Sequence, residues 1–196
     1  MSFLKTVQKN RGMTYVELIV VISIVALLST VSLFNYGEFQ DRVDIKNLAN
    51  DVALKVTEAQ KNSIAGRVPA TGAPLNWRPS YGVYFDINTD KTFNIFTDIN
   101  GDKKYTCPGA ECTSGINITK GNYISHVEYF LNDNPNPINN PLHITFTRPN
   151  SGAVFYVGSS LTPLVNLQFV QITLSSPNVG IYSVIKIYPS GRVQIK

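Results

Sequence analysis

Apolar residues are concentrated near the start of the chain. From Tyr15 to Leu28, twelve of fourteen positions are apolar or aromatic, and only Glu17 and Ser23 interrupt them. Widened to Met13–Leu33, the stretch carries one charge, Glu17. At about 1.5 Å per residue such a helix reaches about 30 Å, the thickness of a hydrocarbon core. The pattern therefore predicts a single-pass transmembrane helix. Lys5, Lys9 and Arg11 precede it, which predicts a cytoplasmic leader and an outward-facing remainder.

The period then changes. Asn35-Tyr36-Gly37 reads as a soft spot. From Asp41 to Ala65, Ile45, Leu48, Ala49, Val52, Val56 and Ala59 recur at three- and four-residue spacing, the stripe of an amphipathic helix. Gly66 and Pro69 end it. From Ser80 the alternation is two-residue, predicting strands over 81–87, 93–95, 123–131, 142–147, 154–157, 167–174 and 181–188. A last turn at Pro189-Ser190-Gly191 leads into residues 192–196, and the Asn- and Pro-rich segment 132–141 reads as irregular. The expected fold is α+β: a long N-terminal helix, transmembrane then amphipathic, packed on an antiparallel β-sheet head domain. The expected divisions are a leader (1–12), an anchor (13–33), an amphipathic continuation (34–66) and a β-rich extracytoplasmic head (67–196).

A charge at helix depth in a membrane costs about 3 kcal/mol on insertion scales, so Glu17 calls for a partner. The plainer alternative is an acid near a helix start that complements the macrodipole. Residues 11–18, Arg-Gly-Met-Thr-Tyr-Val-Glu-Leu, followed by the apolar run, resemble the leader of type IV prepilins and type II secretion pseudopilins. The resemblance implies cleavage by prepilin peptidase between Gly12 and Met13, N-methylation of Met13, and an assembly role for Glu17. In that role its carboxylate neutralises the amino terminus of an adjacent subunit. The implied partners are other pilin or pseudopilin subunits, prepilin peptidase and an inner-membrane assembly platform. The implied location is the bacterial inner membrane, single-pass, with the head in a periplasmic pseudopilus or surface pilus. Many major pilins carry proline where this chain has Phe34, a departure that concerns local helix melting in the filament. Segments in the second half, including Tyr81-Gly82-Val83-Tyr84-Phe85 and Ser190-Gly191-Arg192-Val193, are similar to H-type minor pseudopilins and related minor pilins. The competing readings are a plain signal anchor and a secretory signal cut near Ser29 or Ser32.

Charge changes this picture little. The formal net charge is +4 and the isoelectric point near 9.0. Removing Lys5, Lys9 and Arg11 from the 17 basic residues leaves 14 against 13 acids. Nucleic acid is therefore not an expected partner. Cys107 and Cys112, separated by Pro-Gly-Ala-Glu, suit a small disulfide loop in an oxidising compartment better than a zinc site.

Two Asx-rich segments remain. Asp86–Asp90 reads as a hairpin turn. In the second, Asp98, Asn100 and Asp102 alternate as oxygen ligands do in a Ca²⁺ loop, but glycine comes one residue early and Lys103 takes its place. Glu111 stands where it could complete a ligand set. The preferred reading is an Asx turn without metal, with Ca²⁺ as the only candidate cofactor. His126 and His143 alternate with apolar neighbours and read as structural; no nucleophile–base spacing and no phosphate loop is present. The sequence thus describes a minor pilin or pseudopilin acting as a structural or initiation component, and not an enzyme. The alternatives are a DNA-uptake or adhesive minor pilin, and a signal-anchored extracytoplasmic binding or sugar-active domain.

Overall fold

The structure, a computed structural model, describes residues 12–68, 74, 76–160, 162–178 and 180–196. Lys5, Lys9, Arg11 and Pro69 lie outside the described residues. So do the side chains of 31–35, including Phe34. The first element, α1, runs over Tyr15–Ile64. The helix continues through 35–37, where the sequence suggested a soft spot; one glycine costs about 1 kcal/mol in a helix and does not end it. The chain divides into two compact units, Met1–Gln40 and Asp41–Lys196.

In the second unit, α1 ends as its sequence dictates. Gly66 takes φ +65°, its N–H donates to Ser63 O, and the Arg67 N–H donates to Asn62 O, the paired bonds of a Schellman motif. Ile45, Ala49, Val52, Val56 and Ala59 are buried and join one hydrophobic core with the strands. Ser63 Oγ donates to Pro79 O at 3.1 Å, and Gln60 Nε2 donates to Ser151 O at 2.8 Å.

The strands are β1 (Ser80–Phe85), β2 (Thr92–Thr97), β3 (Ile116–Asn117), β4 (Tyr123–Leu131), β5 (Asn134–Pro137), β6 (Leu142–Thr147), β7 (Ala153–Val157), β8 (Phe169–Ser175), β9 (Tyr182–Ile187) and β10 (Val193–Ile195). They form two five-stranded antiparallel sheets, ordered β3-β2-β1-β6-β7 and β10-β9-β8-β4-β5. Long alternating strands bury one face each: Val127 of β4, Ile172 and Leu174 of β8, and Ile185 and Ile187 of β9 line the core.

Three expectations are corrected. The fold class is overturned: among the described residues no helix is long and apolar enough to be a transmembrane segment, and in place of a single sheet they form ten strands in two antiparallel sheets. The anchor is overturned too, since among the described residues no helix is long and apolar enough to cross a membrane. The single-pass inner-membrane location and the transmembrane character fall with it. Finally, 132–141 is not wholly irregular. Asn132 and Asp133 adopt positive φ, and the following β5 pairs with β4 alone. Pro135 and Pro137 lack an N–H, and an edge strand is where that is tolerated.

Gly82 is fixed by packing. A Cβ there would lie 2.5 Å from the Phe96 ring and 2.6 Å from Ile144 O. Gly82→Ala is expected to lower unfolding free energy by about 2 kcal/mol, as overpacking does. Urea denaturation reads this directly.

Candidate functional site

Two places carry the residues singled out in the sequence. The first is the start of α1. Thr14 Oγ1 accepts the Glu17 backbone N–H at 3.2 Å, and Thr14 O accepts the Leu18 N–H at 3.1 Å. Thr14 is therefore the helix cap, and Thr14-Tyr15-Val16-Glu17 has capping-box spacing. The sequence reading passed over this signal; it gives Glu17 a local reason to stand where it does, beside any role toward another subunit. Gly12 and Met13 precede the cap and are exposed, and a Cβ on Gly12 would meet nothing within 4 Å.

Beyond the cap, every large apolar side chain from Met13 to Leu28 is 44–77% exposed. Sixteen residues without an apolar and a polar side do not make an amphipathic helix; a helix apolar all round needs cover from something else. Its hydroxyls do not oppose such cover. Ser23 Oγ donates to Ile19 O, Ser29 Oγ to Val25 O and Thr30 Oγ1 to Ala26 O, each at 2.8 Å.

The second place is the loop Asp98–Cys112, which follows β2. Cys107 and Cys112 are bridged, with Cα atoms 4.8 Å apart. The bridge holds Glu111 inward, where it is buried. Its Oε1 accepts the N–H groups of Ile99 (2.8 Å) and Asn100 (3.1 Å), and Oε2 accepts that of Thr106 (3.2 Å). Burial pushes the Glu111 carboxyl above its usual range, against the pull of those three N–H groups. Asp98 Oδ1 accepts the Gly101 N–H at 2.7 Å, and Asp102 Oδ1 accepts the Lys104 N–H at 2.8 Å. Asn100 Nδ2 donates to Asp102 Oδ2 at 3.1 Å.

The four candidate ligands are therefore brought together, and carboxylate oxygens of Asp98, Asp102 and Glu111 lie within 4.8 Å of one another. Their oxygens are already engaged by backbone N–H groups. The Lys103 ammonium lies 3.2 Å from the buried Asp98. A Ca²⁺ ion would have to displace that lysine from Asp98. The donor set fits a hydrogen-bonded turn at least as well as a hard-cation site. Glu111→Ala leaves three backbone donors without their acceptor and is expected to cost about 3 kcal/mol, while Glu111→Gln costs less. Denaturant unfolding of both variants checks this.

His143, on β6, is buried, and its Nδ1 accepts the Tyr105 N–H at 2.9 Å. The ring stands 5.1 Å from Tyr84 and 6.5 Å from Phe96. Burial and the nearby Lys104 lower its pKa to about 4, so it is a neutral, structural acceptor. His126, by contrast, is exposed on β4 and is not part of the core. Nearby on β4, Tyr129 packs against the core, while Phe130 stacks on Phe169 at 4.5 Å.

Comparison with protein-family models, curated proteins and solved structures yields no match. The prepilin resemblance therefore rests on the residues around Gly12 to Leu28 and the short segments quoted above.

Proposed function

We propose that the chain is a structural or initiating subunit of a pilin-type filament, a minor pilin or pseudopilin, and not an enzyme. The observation that carries this reading is the segment Met13–Leu28, helical from Tyr15, whose large apolar side chains are all exposed. In an assembly the same segment of other copies supplies the missing cover, at about 25 cal/mol for each Å² of apolar surface removed from water. Gly12 and Met13 stand immediately before the cap, where prepilin peptidase would cut and Met13 would be methylated. Glu17, one turn in, would face the amine of an adjacent copy. The Asp41–Lys196 unit supplies contacts between subunits, and its bridged loop fits an oxidising compartment.

Intact-mass spectrometry of the product from cells containing prepilin peptidase tests the reading. The expected mass is that of a chain beginning at Met13 and carrying one methyl group. An intact first twelve residues, or trimming beyond Leu28, would sink it.

A further inference from the structure

Two clefts flank α1 within the Asp41–Lys196 unit, and they differ in character. At roughly 100° per residue, Ile45, Ala49, Val52 and Val56 point into the core, and the residues to either side of that stripe border the clefts. One cleft, about 350 Å³, is bordered by Asp44, Leu48, Asp51 and Leu54 of α1, with Ile116 and Lys120 opposite. The other, about 400 Å³, is bordered by Arg42, Lys46 and Asn50 of α1, with Ile181, Tyr182 and Lys196 opposite.

Each cleft holds one large apolar side chain that water covers at a cost: Leu54 is 61% exposed and Tyr182 64% exposed. Their charges oppose. In the first cleft Lys120 is taken by Asp44 at 2.6 Å and Lys55 by Glu58 at 2.9 Å. Asp51 is left beside Leu54 with no hydrogen bond or ion pair among the described residues. The border of the second cleft carries cationic side chains and no acidic one, and Lys46 likewise makes no ion pair among the described residues.

Resting on the filament reading above, we propose that the occupant of each cleft is a second copy of this chain, engaged head to tail. Leu54 and Asp51 of one copy meet Tyr182 and Lys46 of the next. Because the two patches are different surfaces on opposite flanks of one helix, each copy keeps one patch free after pairing. A contact of that kind is heterologous and propagates, whereas a self-complementary patch would stop at a dimer. The apolar pair supplies the attraction, and the Asp51–Lys46 pair sets direction by repelling like-to-like docking.

The test uses the full-length chain with one cysteine on each cleft's border and the apolar pair intact, N47C/N50C, oxidised under mild conditions beside the wild type and each single variant. A ladder of multiple covalent oligomers is expected from the double variant only. D51K and K46D placed in that background are each expected to reduce the ladder at least tenfold, and D51K/K46D together to restore it. Wild type that assembles while the double-cysteine chain gives no ladder, or only a dimer, would overturn the head-to-tail pairing and leave the filament reading standing. Wild type that never assembles would remove both. All four positions are at the surface, and unchanged far-UV circular dichroism is the control for folding.

Discussion

Lowering the pH from 6.5 to 4 is expected to reduce the stability of the Asp41–Lys196 unit by about 3 kcal/mol through His143 alone. The buried ring has a pKa of about 4, because burial and then Lys104 disfavour its charged form. In the unfolded chain the same ring titrates near 6.5. Between those values the unfolded state holds a proton that the folded state does not, so stability is fully present above pH 6.5 and is lost as pH falls toward 4. Protonation would also remove the acceptor that Nδ1 offers the Tyr105 N–H. Denaturant unfolding across this range reads the slope. In His143→Gln, which keeps an acceptor and removes the titration, the slope attributable to this group should vanish.

Placing one charge in the apolar segment is expected to have the largest effect on assembly. Ile22 is 59% exposed in the single chain, and the residues three and four away on α1, Leu18, Ile19, Val25 and Ala26, are all apolar. An aspartate there costs little in the free subunit. In a packed assembly it is a carboxylate without a partner, which costs several kcal/mol. Ile22→Asp should therefore raise the concentration at which the chain pellets on ultracentrifugation by at least about 100-fold, equivalent to about 3 kcal/mol. Thermal unfolding of the Asp41–Lys196 unit should not change.

The strands were the part most open to reading from the pattern of residues. Leu142–Thr147 alternates apolar and polar residues and is a strand over those bounds, and Tyr123–Leu131 is a strand too, although a register shift between Ile124 and His126 breaks its period. What alternation could not reveal was the partition into two sheets, because it reports which face is buried and not which strand is the neighbour. Strand β1 lies between β2 and β6, and β4 between β8 and β5; those pairings depend on the whole core. Short or proline-bearing strands were missed for a related reason. Ile116–Asn117 is too brief to show a period, and β5 carries Pro135 and Pro137, which normally argue against a strand.

The candidate site was legible in its members and not in its bonding. The spacing of Asp98, Asn100 and Asp102 and the position of Glu111 within the cysteine loop foretold their convergence. That Glu111 would saturate three backbone donors, and that Lys103 would meet Asp98, depends on the positive φ of Gly101 and Lys103, which turns the chain back on itself. At the other end, the apolar run was conspicuous. Among the described residues no helix is long and apolar enough to be the anchor, and the Thr14 cap adds a backbone hydrogen bond to the helix-start reading of Glu17, which charge alone did not show.

The account depends on residues 13–28 of one copy being covered by the same residues of another. Energy transfer between donor- and acceptor-labelled copies, each labelled through a cysteine at position 22 and mixed after separate preparation, measures that proximity directly. Efficient transfer that rises with concentration and disappears on adding excess unlabelled chain is the expected result. No transfer, with the two labelled copies remaining apart at every concentration, would contradict it.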